Sequence, residues 1–173
     1  MEFVEVIDDS RGPIVKIGEC FYSLNGSYFD FLGEFLKKEI KIKKKIKDIK
    51  ILDGSKINDD NERYKVFVLI DGDLVVAKMI VFYNTIENYA IEDKSIYVMA
   101  FAVLESKQHM GYGKKSLLFV EKEHKGFDVL LGVEENNKIA YSLYNKLGYK
   151  LKQKNVFNED FDFIFDLLIK EGV

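Results

Sequence analysis

Gln108-His109-Met110-Gly111-Tyr112-Gly113 is the stretch of this chain best suited to holding a charged ligand. It follows Ser95 to Val103, an apolar run rich in β-branched and aromatic side chains that reads as a buried strand. It precedes Lys114 to Lys125, a helix-forming segment that Gly126 is placed to stop. Glycines at Gly111 and Gly113 allow positive φ and remove side chains that would block a close approach. Amides at the start of the following helix can then face an anion, assisted by the helix dipole. A diphosphate is the guest such a loop suits.

Three phosphate-binding patterns compete for these residues. A P-loop anchored on Gly113-Lys114 requires glycine where Gln108 stands and a hydroxyl where Lys115 stands, so it fails twice. A dinucleotide fingerprint fits Gly111 and Gly113, but Ser116 replaces its third glycine. Glu134, 21 residues beyond Gly113, lies near where a ribose-binding acid belongs, so a dinucleotide oxidoreductase stays open on the glycines alone. The third pattern depends on the continuation. Phe127 to Val133 reads as a short buried strand, and Asn136 or Asn137 can cap a helix carrying Ile139, Ala140, Leu143, Tyr144 and Leu147 on one face before Gly148.

Gln-x-x-Gly-x-Gly after a strand, followed by a strand and then Asn137-x-x-Ala140-x-x-Leu143-Tyr144-x-x-x-Gly148-Tyr149, resembles the GNAT superfamily of N-acetyltransferases. The resemblance covers Ser95 to Tyr149 in order and spacing, and extends more loosely from Tyr64 to the C-terminus. It implies an α/β (α+β) fold: a mixed, mostly antiparallel central sheet with a parallel, splayed strand pair and helices on both faces. It implies acetyl-coenzyme A as co-substrate and no metal. Phe101, Ala102 and Val103 match the strand edge that pairs with the pantetheine arm, as an added strand would. Gln108, His109, Met110, Gly111, Tyr112, Gly113, Lys114 and Lys115 match the pyrophosphate loop, with Asn137, Ala140 and Tyr144 beside the pantetheine. Backbone amides near Val103 would hold the developing oxyanion.

In the family the tyrosine matching Tyr144 protonates the departing thiolate. A free thiol has a pKa of about 8.5 and a phenol about 10, so a phenol is a reasonable donor. The plainer alternative is a core aromatic on an apolar helix face. The chain also departs from the family. Met110 stands where arginine or lysine is common, leaving charge assistance to backbone dipoles and to Lys114 or Lys115. Tyr97 and Gly132 stand where two branches of the family place a glutamate base. A lysine-like amine is neutral in only roughly one molecule in a few thousand at pH 7, so a base or a water path is needed. Glu87, Glu105 and Glu134 are substitutes within reach, although surface carboxylates are the commoner role for such residues, and a water wire could serve instead. The acceptor implied is the primary amine of a small molecule or peptide. The competing function is a coenzyme A-binding module without catalysis.

The rest of the chain must position these groups. At 173 residues it suits a single acetyltransferase domain spanning 1–173, with a core that needs no staples. Apolar residues at 47% and charged residues at 32% describe an ordinary globule, so disordered and membrane-spanning classes drop out. The single Cys20 excludes an internal disulfide. With an acidic MEFVEVIDD start, it points to a cytoplasmic protein. His109 and His124 have no partner at ligand spacing, so no metal site is expected. The net charge of −3 hides a segment from Lys37 to Lys50 with eight lysines and two acids. It has no arginine and no interleaved aromatic, so nucleic acid is not the expected partner, and a solvated helix face is. A homodimer is compatible with this chain.

Phe3 to Ile7 reads as a strand, and the turn chemistry of Asp8 to Pro13 closes it. Ile14 to Leu24 carries helical spacing, as does the chain from Tyr28, with Phe29, Leu32, Leu36 and Ile40 on one side. Asp53-Gly54-Ser55 and Asp59-Asp60-Asn61 mark a loop. Tyr64 to Ile70 and Leu74 to Tyr83 form a hairpin about Asp71-Gly72-Asp73. Tyr149 to Asn155 and Asp162 to Ile169 close the chain as strands. Acidic loops bearing Asp71, Asp73, Glu87, Glu92, Asp93 and Glu159 to Asp162 would suit a cationic acceptor, or simply solubility.

Overall fold

A computed structural model of the chain describes residues 1–9, 12–32, 36, 38–46, 64–83, 94–158 and 163–173. The loops marked at Asp53 and Asp59 fall outside these residues, as do Glu87, Glu92, Asp93 and Glu159 to Asp162. Two compact units divide the chain. The first comprises Met1–Val81 and Ala100–Ser116, the second Phe82–Met99 and Leu117–Val173.

The first unit is built on strands β1 (Glu2–Asp9), β2 (Gly12–Ile17), β3 (Cys20–Leu24), β4 (Ile42–Ile46), β5 (Tyr64–Asp71) and most of β6 (Leu74–Tyr83). Their order is β4-β3-β2-β1-β5-β6. The ladders from β4 through β5 are antiparallel, with Val6 opposite both Val15 and Val66. Those three valines are buried, as are Val68, Leu69, Val75 and Met79, and because Val68 and Leu69 are adjacent in β5 both faces of that strand are covered. The hairpin between β5 and β6 turns at Gly72, whose φ of +65° lies in the left-handed region.

Of two helices expected here, one is a hairpin and the other is described over a single turn. Ile14 to Leu24 forms the β2–β3 hairpin, with Ile17 opposite Cys20. Its apolar residues fit a helical period, but Ile14, Val15 and Ile17 are β-branched and prefer an extended chain. Gly18, at φ +57°, makes the turn and would weaken a helix interior. From Tyr28 the helix α1 is a single turn, Phe29–Leu32. Phe31, Leu36 and Ile40 are buried. In the lysine-rich segment, Ile42–Ile46 is a strand at the end of the order, with Lys43, Lys44 and Lys45 exposed, rather than a helix face. Lys47 to Lys50 lie outside the described residues.

The second unit orders its strands β7-β8-β10-β9. β7 (Ser95–Val103) and β8 (Asp128–Val133) are parallel, and β10 (Phe163–Lys170) runs antiparallel to β8 and to β9 (Lys150–Asn158). The parallel ladder runs from Ser95–Asp128 to Val98–Leu131. Ser95 to Val98 are all buried, which is why this half of β7 reads as a continuous apolar run rather than an alternation. Tyr97, Leu130, Val156, Phe165 and Leu167 form a core cluster. Leu117, Val120, Glu121 and His124, at helical spacing in and just after α2 (Tyr112–Glu123), are buried. α3 (Lys138–Lys146) buries Tyr144 but leaves Ile139 70% exposed, so its inner face is shifted from the expected one and includes half-buried Tyr141. β9 ends the order with Lys150, Lys152 and Lys154 exposed. The result is a mixed, mostly antiparallel sheet architecture with one parallel pair. Among the described residues, no helix is long and apolar enough to cross a membrane.

Candidate active site

In the first unit, the end of β7 leads into the glycine loop. Phe101, Ala102 and Val103 are half-buried, and Leu104 returns its amide to Val76 at 2.9 Å. A single 3-10 turn, Glu105–Lys107, then delivers Gln108, whose Nε2 donates to the Val103 carbonyl at 3.4 Å. Gln108 therefore folds the loop back onto the strand it leaves. His109 at φ +60° and Gly111 at φ +84° put two left-handed residues into three. His109 accepts this as a non-glycine residue, a conformation that is uncommon outside turns and functional loops. Lys115 donates its amide to the Gly111 carbonyl at 3.1 Å and so begins α2 directly on the loop.

Side chains around that loop divide into anchored and exposed. Tyr112 is buried at 8% exposure, and its hydroxyl donates to Asp71 Oδ2 in the β5–β6 turn. This hydrogen bond to the carboxylate holds the Tyr112 phenol above its ordinary range. Lys115 Nζ lies 5.4 Å from the Tyr112 ring centroid, a cation–π distance. His109, Met110, Lys114 and Lys115 are exposed, and Gly113 is half-buried. Ser116, in the second turn of α2, keeps a buried hydroxyl with no hydrogen-bond partner among the described residues.

β7 carries a conformational irregularity at Ala100, which has φ +50°. A left-handed L-residue costs roughly 1–2 kcal/mol. The Ala100 carbonyl accepts from Lys78 Nζ at 3.3 Å, and the same ammonium donates to the Phe31 carbonyl of α1 at 3.1 Å. Hydrogen bonds to a charged group contribute about 1.5–3 kcal/mol, the same order as the strain at Ala100, before the cost of burying the ammonium is counted. Sequence reasoning passed over Lys78. The signal was available: it is the one charge in Leu-Val-Val-Ala-Lys-Met-Ile-Val-Phe-Tyr, a strand otherwise without ionised side chains.

In the second unit, Asn137 is the cap of α3: its side-chain oxygen accepts from the Ala140 amide at 3.1 Å. Ala140 is half-buried. Tyr144 is 6% exposed, its ring 6.0 Å from that of Tyr149, and burial pushes its phenol up to about 12. A phenol so shifted stays protonated at neutral pH and is a weaker acid than a free one. Tyr149 donates to Glu121 Oε1 at 3.1 Å, and Lys170 Nζ donates to Glu121 Oε2 at 2.7 Å, so one buried carboxylate ties α2 to the turn between α3 and β9 and to β10. Tyr141 donates to Asp166 Oδ2 at 2.5 Å, and the Asn155 amide to Oδ1 at 3.0 Å.

Tyr97 and Gly132 are physically coupled. A Cβ built on Gly132 would stand 2.7 Å from the Tyr97 hydroxyl and 2.7 Å from Phe165 Cδ2. Contacts that short are not tolerated without a shift of neighbours. Tyr97 therefore occupies the space that any side chain at position 132 would need. The other carboxylates weighed from the sequence, Glu105 and Glu134, are exposed, and Glu87 lies outside the described residues.

The family model for the acetyltransferase (GNAT) family matches residues 27–149 of the chain. The chain belongs to that family. No curated protein matches it. Among solved structures it is similar to an IAA acetyltransferase from Bacillus cereus ATCC 14579, at TM-score 0.53 and 20% identity over 64% of this chain and 79% of that one. It is also similar to a protein described as of the GNAT family from Bacteroides thetaiotaomicron, at TM-score 0.52 and 21% identity, covering 66% of this chain and 65% of that one. At these identities the likeness is one of fold.

Proposed function

We propose that the chain, working as one acetyltransferase domain, is an acetyl-coenzyme A-dependent N-acetyltransferase. It would transfer the acetyl group to a primary amine of a small molecule or peptide by direct attack in a ternary complex. The observation that carries this is the loop from Gln108 to Lys115, which joins β7 to α2 through two left-handed residues in a chain that belongs to the family. The residues present fit a diphosphate: exposed Lys114 and Lys115 supply cations, α2 supplies a helix N-terminus, and beneath them Ser116 keeps a buried hydroxyl without a hydrogen-bond partner among the described residues.

Each side chain then has a task. The backbone of Phe101 to Val103 pairs with the amide-bearing arm of the co-substrate, and amides near Val103 polarise the thioester carbonyl. His109 to Lys115 hold the pyrophosphate. Asn137 and Ala140 line the pantetheine. Acetyl-coenzyme A supplies the thioester whose carbonyl carbon the amine nitrogen attacks, with cleavage of the C–S bond. Tyr144, which is protonated at neutral pH, gives its proton to the departing sulfur, and burial, by weakening the phenol as an acid, requires the two to be in direct contact. The proton lost by the amine leaves through water or a carboxylate outside the Tyr97–Gly132 pair.

Two measurements test this. Acetyl-coenzyme A should raise the melting temperature of the protein, and a nicotinamide dinucleotide should not. Mixing the protein, acetyl-coenzyme A and a panel of amines should release free thiol with at least one amine. Binding without thiol release across the panel would leave a coenzyme A-binding module. Stabilisation by the dinucleotide alone would sink the proposal.

A further inference from the structure

We infer that Lys78 is a positioning residue for the cofactor-binding strand. Its buried ammonium, donating to the Ala100 and Phe31 carbonyls, fixes the left-handed residue from which Phe101 to Val103 depart. This role rests on the coenzyme A reading above.

Lys78 is 1% exposed, and its neighbours Val75, Val76, Ala77, Met79, Ile80 and Val81 are each 3% exposed or less. Stability alone does not favour an ion in such a place. A methionine of similar length would fill the same space without desolvation, and buried ions are often replaced by apolar groups at no loss. An ammonium does bring donors and no acceptor, and both contacts described are to carbonyl oxygens. One of these carbonyls belongs to Ala100, a residue with no glycine to ease its positive φ. The turn of the chain there sets which way the peptide groups of the next three residues point. Those three residues are the edge proposed to pair with the pantetheine arm. Lys78, being 1% exposed, acts through Ala100.

The test is a double-mutant cycle on the full chain, read as the Kd for acetyl-coenzyme A. Lys78→Met should weaken binding about tenfold. Lys78→Met combined with Ala100→Gly should recover a large part of that loss, because glycine adopts the left-handed conformation without support. Ala100→Gly alone closes the cycle. A lysine that merely stabilised the core would lower the melting temperature and leave the two positions additive in Kd. Should Lys78→Met not fold, Lys78→Gln keeps N–H donors in place and should bind more weakly than wild type, again with recovery by Ala100→Gly. Wild-type protein that binds acetyl-coenzyme A while both Lys78 variants bind within twofold of it would overturn the role of Lys78 alone. Wild-type protein that does not bind would overturn the coenzyme A reading and this role with it.

Discussion

Tyr144 and Gly132 are the residues at which chemistry and packing can be told apart most directly. Burial holds the Tyr144 phenol near 12, so it is protonated at pH 7. Tyr144→Phe removes one hydroxyl and keeps the ring against Tyr149. The proposed role predicts a kcat about 10²–10⁴-fold lower, the usual range for loss of general acid catalysis, with acetyl-coenzyme A affinity within a few-fold. A drop in affinity with unchanged kcat would mark Tyr144 as core only. At Gly132 the expected effect is on stability. Gly132→Ala forces a methyl group against the Tyr97 hydroxyl and the Phe165 ring and should cost about 1–3 kcal/mol. Denaturant unfolding measures it, and Tyr97→Phe, which removes the hydroxyl that meets the methyl and keeps the ring in the core, should return part of the loss in the same background. An unaltered midpoint would show that the strand yields at no cost.

At the scale of elements, the turn between β5 and β6 and the helix α2 share a tether, the Tyr112–Asp71 hydrogen bond. Tyr112→Phe and Asp71→Ala each break it from one side. If the tether sets the glycine loop, both raise the Kd for acetyl-coenzyme A by a similar factor of about 3–10, and the double variant adds little to either. Calorimetric titration of the three variants decides; additive losses would mean that the residues act separately. This tether also shows what the sequence could disclose. The β5–β6 hairpin, β7, α2, β8, α3 and the closing β9–β10 pair were all legible, because their apolar runs are bounded by glycine and asparagine at the required places. The β2–β3 hairpin was not, because Ile14, Ile17, Phe21 and Leu24 fall on a helical period, which strand pairing overrides. Of the candidate site, the glycine loop and the Asn137 cap were readable as local patterns. The partnerships of Tyr112 with Asp71, of Lys78 with Ala100 and of Tyr97 with Gly132 were not, since each joins residues distant in sequence.

For the whole molecule, the buried Tyr144 and Tyr149 and the half-buried Tyr141 make alkaline pH the direction of weakness. Tyr144 and Tyr141 are pushed up to about 12, by burial in both cases and by the Asp166 hydrogen bond in addition for Tyr141. Tyr149 is raised by burial and by Glu121. A phenol whose native pKa exceeds its unfolded value keeps its proton in the fold while the unfolded chain ionises. Its contribution is therefore whole below about pH 10 and is lost as pH rises towards 12. For Tyr144 alone the loss at pH 12 is on the order of 2–3 kcal/mol. Unfolding free energy measured from pH 8 to pH 12 should fall steeply above pH 10, and Tyr144→Phe should fall less steeply. A flat profile through pH 11 would contradict the burial of these phenols.

The outermost strand of the second unit has a different consequence. β9 offers solvent Lys150, Lys152 and Lys154 on a strand that ends the order. Two molecules brought rim to rim there would meet like charge at every second residue, and bringing such cations together is unfavourable. Fibrous growth from this border is thereby discouraged for as long as those amines stay protonated.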